Sequence, residues 1–91
     1  MNLNKTCVYI LQCADNTLYT GWTHDLDHRL QAHNSGNGAK YTKARLPVTL
    51  VYREDVESKS EALKRELQIK KLTRQQKLAL IARQKGTKLK R

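Results

Sequence analysis

Two runs of strand-forming residues, "TCVYILQC" (6–13) and "TLYTGW" (17–22), stand either side of the short stretch "ADN". Both are rich in β-branched and aromatic side chains, and an Asp-Asn pair between them is a turn signal, so the segment reads as a β-hairpin. A helix follows at once. Thr23 is its expected cap, the spacing predicts a helix over 24–35, and Asp25 and Asp27 suit its positive end. "NSGNG" stops it with residues that tolerate left-handed backbone. "AKYTKARLP" reads as a basic loop closed by Pro47, the one proline, and "VTLVYR" as a third strand over 48–53. Ser58 with Glu61 and Thr73 with Gln76 are two capping boxes, opening helices of about 59–71 and 74–85. The order ββαβαα predicts an α/β fold of the α+β sandwich kind, a small three-stranded antiparallel sheet flanked by helices. A single domain over 1–85 is expected, with 86–91 a disordered basic tail.

Charge narrows the partners. Residues 59–91 hold twelve Lys/Arg against two acids, whereas residues 1–58 hold six of each, so the whole formal net charge of +10 sits in the last third. A basic surface of that kind binds a polyanion by releasing its counterions, and nucleic acid is the first expectation. The plainer alternative is a solvated basic helix. No apolar run approaches the ~20 residues of a membrane span, and "MNLNKTC" carries no signal-peptide core, so a cytoplasmic protein without a membrane partner is expected. Cys7 and Cys13, on one extended strand, would stand roughly 20 Å apart and stay reduced.

Three residues break the apolar pattern. Glu66 has Ala62, Leu63 and Ile69 as its helical neighbours, so it lies on or beside the buried stripe. A carboxylate there must be paired, protonated or bound to a cation; a salt bridge to Lys70, Arg65 or Arg29 is the simplest solution. On the first helix, Leu26, Leu30 and His33 fall at i, i+4 and i+7, with Arg29 one turn before His33. These two read either as a snorkelling arginine with a core-edge histidine or as parts of a site. His24 and His28 share the i, i+4 spacing, but with no CxxC pair or HExxH a zinc site is not expected. The chain has four tyrosines and no phenylalanine, which suggests that some hydroxyls are used.

"CVY" at 7–9, "YTG" at 19–21, Arg29 with His33, and the lone helical Glu66 together resemble the GIY-YIG endonuclease superfamily, and its small stand-alone bacterial members most of all. The resemblance spans about residues 6–80. It implies a metal-dependent endonuclease that hydrolyses DNA phosphodiester bonds, in repair or recombination. Tyr9 and Tyr19 match the two motif tyrosines, which help orient and deprotonate the attacking water. Arg29 matches the arginine that binds the scissile phosphate, His33 a site-lining histidine of some branches, and Glu66 the single ligand of one Mg²⁺ or Mn²⁺. The chemistry accords with those types, since a phosphodiester repels hydroxide until an arginine fork and a metal neutralise its charge.

The match also has departures. Cys7 stands where the first motif glycine would be, Val8 and Thr20 are the central residues, and Trp22 occupies a position that is lysine in a repair branch. No late asparagine is apparent, and Gln75, Gln76 or Lys77 would have to stand in for it. If both tyrosines serve one site, the hairpin connection must contain an odd number of residues or a bulge, because an even loop puts them on opposite faces.

Lys40, Tyr41, Lys43 and Arg45 in the loop, with Lys70, Lys71, Arg74 and Lys77 on the later helices, are the expected DNA contacts. No base-reading motif is visible, so selectivity for structure over sequence is expected. A monomer is expected, with a protein partner to bring it to substrate. RNA is permitted by the same charge, and the competing reading is a non-catalytic nucleic-acid-binding module on the same fold.

Overall fold

The structure, a computed structural model, describes residues 5–89, with side chains through Gln84. Three strands, β1 (Cys7–Gln12), β2 (Leu18–Thr23) and β3 (Thr49–Asp55), form one sheet in the order β2-β1-β3, antiparallel throughout. The helices are α1 (Leu26–Asn34), a single turn α2 (Lys40–Lys43), α3 (Lys59–Lys70) and α4 (Arg74–Leu89). The expected ββαβαα order is therefore present with one added turn. No helix of the described residues is long and apolar enough to cross a membrane.

Hairpin geometry decides which side chains share a face. Ala14, Asp15 and Asn16 form a connection of three residues between Cys13, whose N–H donates to the Thr17 carbonyl at 2.9 Å, and Thr17. Asn16 takes the left-handed conformation (φ 68°) that such a loop needs, and its N–H returns to the Cys13 carbonyl. The odd count sets Leu11 opposite Tyr19 and Tyr9 opposite Gly21, so the two tyrosines lie on the same face, as the parity argument required. A bulge on the other side of β1 pairs Ile10 with Tyr52 but Leu11 with Leu50, leaving Val51 extra. It turns Leu50 and Tyr52 to opposite faces although they are two residues apart.

One core lies on each side of the sheet. Cys7, Tyr9, Leu11, Cys13, Leu26 and Val48 are buried together under α1, and Val8, Ile10, Tyr52, Ala62, Ile69 and Ile81 under α3 and α4. Central β1 is buried on both faces, which explains its nearly unbroken apolar run. The cysteines are buried free thiols.

Local corrections have simple causes. Asp25, not Thr23, caps α1: its carboxylate accepts from the His28 N–H at 3.2 Å, while the Thr23 hydroxyl accepts from the Asp25 N–H. The loop around 40–43 winds into α2 because Thr42 donates to the Ala39 carbonyl and the Lys43 N–H bonds that same carbonyl. Helix α4 continues to Leu89, into the stretch expected to be disordered, since nothing after Gln84 except Gly86 disfavours helix; positions 90 and 91 lie outside the described residues. Thr73 and Gln76 form the expected reciprocal box at 3.1 and 2.9 Å, so Gln76 is occupied as a cap.

Helix α4 also closes the sheet. The Gln84 amide donates to the Arg53 carbonyl at 2.8 Å and accepts from the Arg53 N–H at 3.4 Å. It meets the free edge of β3 as a neighbouring strand would. Replacing Gln84 by Ala should cost about 1–2 kcal/mol in denaturant unfolding, as two modest hydrogen bonds predict. The Arg53 amide should then exchange faster with solvent, and unchanged exchange there would refute the assignment.

Candidate active site

Tyr9, Tyr19, Arg29 and His33 converge on the face beneath α1. Strand β1 presents Tyr9, which is 1% exposed, and α1 presents His33, which is fully buried. The Tyr9 hydroxyl and His33 Nε2 are 3.1 Å apart, with the rings edge-on at 6.1 Å. The Tyr19 ring meets the other side of the imidazole edge-on at 5.4 Å. Gly21 permits this packing: a Cβ there would stand 2.7 Å from the Tyr9 hydroxyl and 3.3 Å from the Tyr19 ring. The motif glycine is thus required by the phenol lying across it.

Both nitrogens of a buried imidazole need partners, and the second is Thr42. Its Oγ1 lies 2.8 Å from His33 Nδ1 and donates its own proton to the Ala39 carbonyl at 3.0 Å. The Ala39 N–H also reaches Nδ1, at 3.5 Å, so the loop presents an amide and a hydroxyl to that nitrogen while Nε2 pairs with the Tyr9 hydroxyl. Burial holds the His33 pKa below that of an ordinary imidazole, and the nearby Arg29 guanidinium adds to the effect. Burial raises the Tyr9 pKa and outweighs the opposing hydrogen bond and charge of Arg29. The pair therefore rests as a neutral phenol hydrogen-bonded to a neutral imidazole, beside Arg29. Tyr19 is half-buried and its hydroxyl has no hydrogen-bond partner among the described residues.

Beyond this cluster, the Tyr41 ring stacks on Tyr19 at 6.0 Å with an angle of 22°, and the Arg45 guanidinium lies 4.0 Å over Tyr41. Arg45 is pinned by Asp15 at 3.1 Å and by the Tyr41 carbonyl at 2.8 Å. Lys40 and Lys43 are exposed on α2.

Glu66 belongs to the other layer. It stands on α3 between Ala62 and Ile69, which pack on the far face of the sheet, and α3 runs against β2 and β1. Its carboxylate, 16% exposed, pairs with Lys70 at 3.3 Å, one of the salt bridges anticipated for it. Lys71 and Arg74 are exposed around the α3–α4 junction. Lys77 is half-buried there, and burial, then Lys70, lowers its pKa. Among the described residues no three His, Cys, Asp or Glu side chains group as a metal cage. The donor set suits magnesium, which keeps most of its waters and takes one carboxylate plus substrate oxygens; Glu66 is the residue that would hold it.

Thr42 and Gly38 escaped the sequence reading. A Cβ at Gly38 would run into the His33 ring, 2.7 Å from its Cγ, so this glycine lets the loop close over the imidazole. Gly38→Ala should destabilise the protein by roughly 1–3 kcal/mol, as overpacking does. His33 ring resonances should move toward solvent-exposed values, and an unchanged spectrum would mean that the loop does not hold the ring.

Comparison with known proteins agrees with this geometry. Residues 5–79 match the GIY-YIG catalytic domain. A UPF0213 protein of Syntrophus aciditrophicus is 61% identical over 80 residues, which cover 87% of this chain and 92% of the relative. One from Clostridium perfringens is 63% identical over 75 residues, covering 82% and 81%. The solution NMR structure of a UPF0213 protein from Bacillus halodurans superposes with a TM-score of 0.56 at 45% identity, covering 86% of this chain and 83% of that one. That of an E. faecalis protein gives 0.59 at 42%, covering 88% of each. With more than four-fifths of its residues matched in one block and Tyr9, Tyr19, Arg29 and His33 gathered on one face, the chain belongs to the GIY-YIG catalytic domain family, a family of nucleases.

Proposed function

We propose that the protein is a metal-dependent endonuclease that hydrolyses DNA phosphodiesters, selecting structure over sequence, in repair or recombination. The observation that carries this reading is the chain Thr42–His33–Tyr9–Arg29. Two buried hydrogen bonds fix Tyr9 and His33 beside the Arg29 guanidinium, and the Tyr19 ring packs against the same imidazole with its hydroxyl uncommitted. A purely structural core has no need of that arrangement.

In this reading Arg29 binds the scissile phosphate and neutralises the charge that grows on its oxygens. Tyr9, hydrogen-bonded to His33 Nε2, stands beside Arg29 and positions the fork. The Tyr19 oxygen accepts from the attacking water and orients it. A divalent ion held by Glu66 would make hydroxide accessible near neutral pH and take charge from the leaving oxygen. Lys40 and Lys43 on one layer and Lys70, Lys71, Arg74 and Lys77 on the other grip the DNA backbone, so the strand passes by the β2 edge between them. Tyr41 and Arg45 shape the wall beside Tyr19.

Cleavage of single-stranded, nicked, flapped and branched DNA, with Mg²⁺, Mn²⁺ or EDTA, tests the reading. Arg29→Ala, Glu66→Gln and Tyr19→Phe should each lower metal-dependent cutting by roughly 10²-fold or more, as lost transition-state contacts do, with folding intact. DNA binding without cutting anywhere on that panel would instead mark a non-catalytic module.

The pH profile is a separate test. Protonated His33 would place a second cation beside Arg29 in a buried position, so the neutral form is the competent one. Because the folded pKa is depressed, the stabilisation due to His33 is present above the ordinary value of about 6.5 and is lost as pH falls toward the lower folded pKa. Cutting and stability should both be flat above that range and fall below it. Acid activity persisting past the NMR-measured pKa of His33 would refute the requirement.

A further inference from the structure

Outside the tyrosine cluster, the outward flank of α1 and the turn after it border a cavity of about 550 Å³ that is open to solvent, lined by His28, Arg29, Gln31, Ala32, Ser35 and Asn37. Arg29 belongs to both places, since it also stands against Tyr9. No acid lines the cavity. The Asn37 amide donates to Ser35 Oγ at 3.3 Å, and Ser35 donates to the Ala32 carbonyl at 3.1 Å, which leaves Asn37 Oδ1 unused. The side chains of His28 and Gln31 have no partner among the described residues.

We infer that this cavity is a nucleoside subsite, taking the base and sugar next to the phosphodiester held by Arg29. The inference rests on the nuclease reading and adds a substrate class to it. A second phosphate would call for further Lys or Arg side chains, and the cavity has none besides the shared Arg29. Neutral amides and an imidazole instead match the donor and acceptor edges of a base and the hydroxyl or ring oxygen of a sugar. The volume accommodates one nucleoside, within the range of small-ligand sites. A base can enter only when it has left the duplex stack, so the site selects a strand that is unpaired at the nucleotide beside the cut.

Titration of the ¹⁵N-labelled full-length protein with d(ApA), and in parallel with dimethyl phosphate, tests this. The dinucleotide should shift the Gln31 and Asn37 side-chain amides together with Arg29, and dimethyl phosphate should shift Arg29 alone. Gln31→Ala, at an exposed position, should weaken d(ApA) about fivefold, as loss of a neutral hydrogen bond does. Ala32→Phe, which fills the cavity, should abolish dinucleotide binding while dimethyl phosphate still binds. Equal affinity for both ligands, or wild-type d(ApA) affinity in both variants, overturns the subsite. Cutting of the DNA panel alongside that result would leave the nuclease reading standing. Occupied cavity amides with no cutting would keep the subsite and retire the nuclease.

Discussion

An imidazole buried with both nitrogens satisfied ties together segments that have no other reason to meet. His33 comes from α1, Tyr9 from β1 and Thr42 from α2, and each gives up water to reach the others. Buried polar groups must be paired, and removing one partner exposes the full desolvation cost of the rest. The loop 35–39 is therefore bent over the ring, with Gly38 admitted against it. The one-turn helix α2 exists where Thr42 can serve Nδ1. Arg29, one helical turn before His33, is fixed by the same helix, so a half-buried guanidinium takes its position from a fully buried ring.

The sheet separates two kinds of chemistry. On one face stand the tyrosines, the histidine and the arginine; on the other, the glutamate with Lys70 and the half-buried Lys77. Strand β1 supplies fully buried side chains to both cores, with alternate residues pointing each way, while β2 and β3 add Tyr19 and Leu50 to one and Leu18, Trp22, Val51 and Tyr52 to the other. Because β2 is an edge strand, a substrate lying along it meets both layers without entering either core. The far edge is treated differently, with the Gln84 amide covering Arg53 of β3. One edge is open and the other closed, and the open one is beside the site.

Most of this architecture was legible because it follows from short-range rules. Runs of β-branched and aromatic residues, turn signals and two capping boxes were enough to place the three strands and three long helices, and the motif residues on β1, β2 and α1 stand together. The environment of Tyr9 was not legible. Its nearly complete burial depends on what α1 and α2 place over the strand. Thr42 and Gly38 were hidden for a related reason. Their role is defined by contact with a ring several residues earlier in the chain, and a threonine in "KYTK" has no periodicity to flag it. The cap falls two residues after the expected Thr23, because the Asp25 carboxylate reaches the His28 N–H while the Thr23 hydroxyl accepts from the Asp25 N–H.

The three-residue connection Ala14–Asn16 has a consequence for chains descended from the same ancestor. Since Tyr9 and Tyr19 share a face only when an odd number of residues separates the paired strand ends, gaining or losing one residue there would turn one phenol away from the imidazole. Viable length changes between the two tyrosines must come in steps of two, or bring a compensating bulge with them. The hairpin thus behaves as a counting device, holding the distance between two motifs by arithmetic and leaving the identities of the intervening residues largely free.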